Sequence, residues 1–86
     1  MAKKYITKRV NGHTFYFKDP EMIILHREDG PAVEQASGGK LWLQNSRFHR
    51  VDGPATENDN GEKSWFVNGE FIFALSSKGE LVNRMK

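Results

Sequence analysis

A histidine followed by arginine and, two residues further on, by aspartate can do chemistry, and this chain carries the set twice. His26, Arg27 and Asp29 are followed 23 positions later by His49, Arg50 and Asp52. An imidazole titrates near neutrality and ligates metals, a guanidinium clasps phosphate, and a carboxylate moves or orients protons. Metal binding, metal-free phosphodiester cleavage and general acid–base catalysis would all begin from such groups.

Each of these needs convergence that the spacing does not supply. Metal binding wants several ligands on one point, usually at short local spacing. Equivalent histidines of two repeats form a ladder instead. A ribonuclease built from His13, His26 and His49 would need two imidazoles facing across one phosphate, and nothing in the sequence brings them together. There is no glycine-rich phosphate loop opening a helix, no nucleophile elbow and no carboxylate cluster. No catalytic residue, metal ligand or cofactor is assigned, and the chain reads as a non-enzyme. Each histidine is expected to pack under its Asp-Gly-Pro turn and donate to a backbone carbonyl, because a buried imidazole needs its polar atoms satisfied. Arg27 and Asp29, like Arg50 and Asp52, share a face if extended. That favours an arginine–carboxylate contact or an aspartate cap on the turn amides.

The elements that position these groups follow from the duplication. At a constant offset of 23, Asp29-Gly30-Pro31-Ala32 matches Asp52-Gly53-Pro54-Ala55. Glu34 then matches Glu57, Gly38 Gly61, Lys40 Lys63, Trp42 Trp65 and Asn45 Asn68. Tandem periods of this size mean stacked supersecondary units. Within each unit Asp-Gly-Pro punctuates, with glycine free to take positive φ and proline unable to donate to a ladder. A short extended stretch follows, then a polar glycine turn, then a return strand, "KLWLQN" or "KSWFVN". Aromatic and branched residues suit such a strand, and the matching Trp42 and Trp65 are expected to stack along one face. Asn68-Gly69 closes a tight turn, Asn45-Ser46 takes its place one repeat earlier, and Asn11-Gly12 offers a third. The expectation is all-β, an antiparallel meander of about seven or eight short strands built from hairpin repeats. A short C-terminal helix is allowed after Ser76-Ser77, weakened by Gly79. Within a single domain, residues 1–23 form a basic diverged hairpin, 24–46 and 47–73 the two repeats, and 74–86 a tail or short helix.

The pattern His-Arg-x-Asp-Gly-Pro-Ala, glycine turn, Lys-x-Trp and Asn-Gly resembles a family of short hairpin repeats found in small phage and bacterial proteins, broadly similar to MORN-type arrays. Residues 24–73 carry the resemblance, with Ser46 where the pattern has glycine. Such arrays serve many roles, so the motif marks a scaffold more than an activity. In length, β character and charge the chain is also similar to the small basic RNA-binding proteins of T4-like phages, the TifA type, that block the ToxN ribonuclease of a host toxin–antitoxin system. That resemblance implies RNA as a partner, a host toxin or ribonucleoprotein as a target, and a counter-defence role.

Charge gives an independent line. The 86 residues sum to +2, but Lys3, Lys4, Lys8, Arg9 and Lys18 stand in an acid-free stretch, residues 1–18, of charge +5. Residues 19–62 carry −5, and residues 63–86 return +2. A segregated basic end is a common footprint of a polyanion-binding face; it is equally the mark of a solvated terminus. In "TFYFK" alternation puts Phe15 and Phe17 on one face and Tyr16 with Lys18 on the other. Tyr5 lies in the same basic stretch, so Tyr5 and Tyr16 are candidates to stack bases while the cations neutralise phosphates. Arg47 and Arg84 are lesser candidates.

A domain of 86 residues with 37% hydrophobic residues builds one small core. It has no cysteine, hence no disulfide or thiolate zinc site, which fits the cytoplasm. No signal-peptide h-region and no run near the roughly 20 apolar residues of a membrane span is visible. The leading expectation is a small RNA-binding protein acting in a host cytoplasm, as a homodimer that covers an open strand edge and doubles the basic surface. The rival is a protein-interaction module, in which an exposed edge or the aromatic face docks a partner or the acidic middle mimics nucleic acid. A virion component is a third reading.

Overall fold

Asn11 and Gly12 turn the chain with φ of 52° and 84°, and Asn68 and Gly69 repeat the geometry at 51° and 83°. Two central residues at positive φ define the tight hairpin turn whose twist matches that of the flanking strands. Asn45 and Ser46 make the same turn at 53° and 62°. Serine is uncommon in this region, and here hydrogen bonds hold it: Ser46 N–H donates to the Leu25 carbonyl at 2.8 Å, and its hydroxyl accepts the Leu25 N–H at 3.1 Å.

The computed structural model describes residues 5–82. Its strands are β1 (Ile6–Val10), β2 (His13–Phe17), β3 (Val33–Glu34), β4 (Lys40–Leu41), β5 (Leu43–Gln44), β6 (Arg47–Phe48), β7 (Thr56–Glu57), β8 (Lys63–Val67) and β9 (Glu70–Leu75). Seven form one antiparallel sheet in the order β1-β2-β3-β4-β7-β8-β9, and β5 pairs with β6 alone. The expected all-β meander is present. The return strand of repeat one breaks at Trp42, between β4 and β5, whereas that of repeat two stays whole in β8 with an irregularity at Trp65 and Phe66.

The short C-terminal helix is absent among the described residues. Ser76–Glu80 instead forms a five-residue loop already used twice. Gln35, Asn58 and Ser76 each donate to the carbonyl four residues on and accept from the N–H three residues on. Gly38, Gly61 and Gly79 take that third-on place at φ of 104°, 94° and 81°. Gly79 therefore defines the turn, and the Ser76 hydroxyl accepts from Lys78 and Glu80 N–H inside it.

Register also shows what the first hairpin is. Tyr16 N–H donates to Ala32 as Trp42 N–H does to Ala55, and His26 N–H donates to Tyr16 as His49 N–H does to Trp42. Phe17 bridges Leu25 as Leu43 pairs with Phe48 and Phe66 with Phe71. Residues 14–17 thus occupy the place of 40–43 and 63–66, offset by 26 rather than 23 because three extra residues lie in the loop after Lys18. The core sits where these rows meet. Ala32 and Ala55 have no exposed surface, Val33 and Leu43 are buried, and Phe15, Leu25, Leu41 and Phe48 pack around them.

Candidate nucleic-acid interface

The two His-Arg-x-Asp boxes are built into the scaffold. Arg27 donates from Nε to Asp29 at 3.2 Å and from Nη1 to the Pro31 carbonyl at 3.2 Å and Glu34 at 3.3 Å. Arg50 repeats this with Asp52 at 3.1 Å, the Pro54 carbonyl at 3.1 Å and Glu57 at 3.5 Å. Each guanidinium also lies over an aromatic ring, Arg27 over Tyr16 at 4.0 Å and Arg50 over Trp42 at 3.9 Å. The arginine–carboxylate contact expected from the spacing is present.

The glycine of each box answers to that guanidinium, not to the backbone. Gly30 and Gly53 are not among the positive-φ glycines. A Cβ built on them would meet the guanidinium carbon at 2.9 Å and 2.8 Å respectively. A side chain in place of the glycine would have to displace the arginine that lies against it.

The histidines act differently from expectation. The ring Nδ1 of His26 accepts the Asn45 N–H at 3.0 Å, and that of His49 accepts the Asn68 N–H at 2.9 Å. The imidazole therefore ties the start of each unit to the tight turn near its end, as an acceptor of the turn's amide proton. Nε2 of His26 meets Glu28 at 3.0 Å. His13, the third histidine, accepts the Ala36 N–H at 3.1 Å. Among the described residues no three His, Asp or Glu side chains gather as metal ligands would. A groove of about 330 Å³ lies between the two Asp-Gly-Pro turns, with Trp42, Gln44 and His49 in its lining.

The basic candidates sit elsewhere. Lys3, Lys4 and Arg84 lie outside the described residues. Lys8 and Arg9 are on β1, exposed throughout its length. Their register partners are Phe15 and Thr14, so Arg9 shares its face with Tyr5, Tyr16 and Lys18, and Lys8 points the opposite way. Lys18 donates to the Asn45 side chain. Arg47 is exposed on β6, its stem against Gly69. Arg9 and Lys18 fall at opposite ends of the hairpin, roughly 13 Å apart at the usual rise of a strand.

Charge alternates along the central strands and stops at this hairpin. Glu34 is opposite Lys40, Lys40 opposite Glu57, and Glu57 opposite Lys63. Arg27 and Arg50 are each paired with two carboxylates. Among the described residues Lys8, Arg9 and Arg47 make no such pair.

Tyr16 is not the open ring that the alternation suggested. Arg27 covers one face, Tyr5 meets it edge-on with centroids 6.3 Å apart, and its hydroxyl reaches Glu34 at 3.4 Å. Tyr5 is half-buried and accepts the Glu28 N–H at 3.0 Å. Both rings serve the scaffold. Tyr16 stands in the slot of Trp42 and Trp65, which a strict 23-residue alignment hides; allowing three inserted residues would have found it.

No protein-family model matches the chain, and neither a curated protein nor a solved structure matches it.

Proposed function

We propose that this protein is a non-catalytic RNA-binding protein whose basic first hairpin holds the phosphate backbone, acting in a host cytoplasm as a phage counter-defence factor against a toxin–antitoxin ribonuclease. One observation carries the RNA-binding reading. In the repeats Arg27 and Arg50 are each paired with two carboxylates, and Lys40 and Lys63 stand opposite glutamates in register, whereas β1 presents Lys8 and Arg9 exposed and opposite Phe15 and Thr14. Unpaired cations on an exposed strand attract a polyanion by releasing its counterions. The counter-defence role and the toxin target rest on the resemblance to the phage inhibitors alone. Because Tyr16 is covered, phosphate contact outweighs base stacking in this reading, and sequence preference is weak.

A titration of single-stranded RNA over a range of salt concentrations tests it. Affinity should fall steeply as salt rises, and the acidic double variant Lys8→Glu, Arg9→Glu should bind much more weakly. A wild type that binds neither RNA nor DNA at low ionic strength would hand the protein to the protein-interaction reading.

A further inference from the structure

The two edges of the seven-stranded sheet are finished differently. At one edge β1 carries Lys8 and Arg9 on opposite faces, and charged side chains on an edge strand discourage pairing with another chain. At the other edge, residues beyond β9 turn back along it. Leu81 bridges Leu75, and Val82 N–H donates to the Ala74 carbonyl at 2.9 Å. Leu81 and Val82 point to opposite faces, and they are 70% and 38% exposed. Ile72 at 53% and Phe73 at 36% extend the apolar surface along β9.

The repeat explains why this surface is apolar. Ile72 and Phe73 stand 23 positions after His49 and Arg50. His49 receives an N–H from the next turn, and Ile72, a hydrocarbon in that position, has no acceptor to offer. The imidazole-to-turn bond of the two repeats has no counterpart here, and hydrocarbon stands in the imidazole's place.

We infer that this edge is the interface of a homodimer, in which Leu81 and Val82 of one copy pair antiparallel with the same segment of a second copy. A second copy fits because the edge is apolar on both faces, so a two-fold axis sets hydrocarbon against hydrocarbon above and below the sheet. Head-to-tail joining would instead bring Leu81 and Val82 against Lys8 and Arg9 on β1. Two-fold pairing also closes on itself, giving a dimer and no filament. The inference does not depend on RNA binding; it places the two basic hairpins at the far ends of one continuous sheet.

The chain has no cysteine, so a single introduced thiol can form a disulfide only with a second copy. In nucleic-acid-free protein, Leu81→Cys should oxidise to a covalent dimer at dilutions where Lys8→Cys stays largely uncrosslinked. Sedimentation equilibrium should find wild type dimeric and the double variant Leu81→Lys, Val82→Lys monomeric, with an unchanged β circular-dichroism spectrum. Lys8→Glu should remain dimeric. A monomeric wild type, a dimer that survives both lysines, or faster crosslinking through Lys8→Cys would overturn the inference.

Discussion

Phe73 lies over Trp65 with ring centroids 4.5 Å apart, in the position that Arg50 takes over Trp42 one repeat earlier. The array thus has one stacking slot, filled by arginine inside the array and by phenylalanine at its end. Arginine is the interior choice because its planar fork can cover a ring and still bond a carbonyl and a carboxylate.

Arg50→Ala should therefore cost about 2–4 kcal/mol in urea denaturation, since it strips Trp42 and leaves the Pro54 carbonyl without its donor. Arg50→Lys should recover only part of that, because an ammonium cannot supply the fork. Asp52→Ala should cost less than about 1 kcal/mol, because its side chain is 84% exposed and such ion pairs contribute little. A loss at Asp52 equal to that at Arg50 would show the carboxylate, not the ring and the carbonyl, to be the main anchor.

Gly53→Ala and Gly38→Ala should destabilise for different reasons. At Gly53 the new methyl would press on the Arg50 guanidinium at 2.8 Å, so a cost of about 1–3 kcal/mol should shrink in an Arg50→Ala background. At Gly38 the space is open and φ is 104°, so about 1 kcal/mol of backbone cost should persist in either background. A double-mutant cycle on each pair separates the two, and additivity at Gly53 would show that the methyl never meets the arginine.

Chelator should leave the melting midpoint unchanged. The Nδ1 atoms of His13, His26 and His49 already accept backbone N–H groups, and metal binding would have to break those bonds. A midpoint that falls with chelator and returns with zinc would mean that the imidazoles leave their amides.

The hairpin repeats were legible because turn chemistry is local. Asn-Gly pairs and glycine loops announce themselves wherever a positive φ is needed. Ser76–Glu80 was the exception. Two serines before a polar run also read as a helix start, and only the shared hydrogen-bond pattern identifies the loop. The roles inside the box were harder to read, because they depend on distances across the sheet. That Gly53 yields space to Arg50, that His49 accepts rather than donates, and that Tyr16 fills a tryptophan slot are long-range facts. Charge segregation was visible at once, but exposure and register were needed to show which cations lack carboxylate partners.

The basic hairpin supports a prediction in which ionic and structural effects separate. Lys8 and Arg9 are exposed and make no ion pair among the described residues, so replacing them should leave the melting midpoint nearly unchanged. Each phosphate that a variant no longer neutralises should reduce the slope of log affinity against log salt by about one. The two side chains point to opposite faces of β1. If RNA lies along the face shared by Tyr5, Arg9 and Lys18, then Arg9→Glu should lower both affinity and slope, and Lys8→Glu should lower them less. Tyr16→Ala should instead cost about 2–4 kcal/mol of stability because Arg27 loses the ring it stacks on, with no change in the salt slope of the protein that remains folded. Equal losses from Lys8 and Arg9 would mean that the backbone wraps the strand edge. An unchanged slope in both variants would place any polyanion contact away from β1.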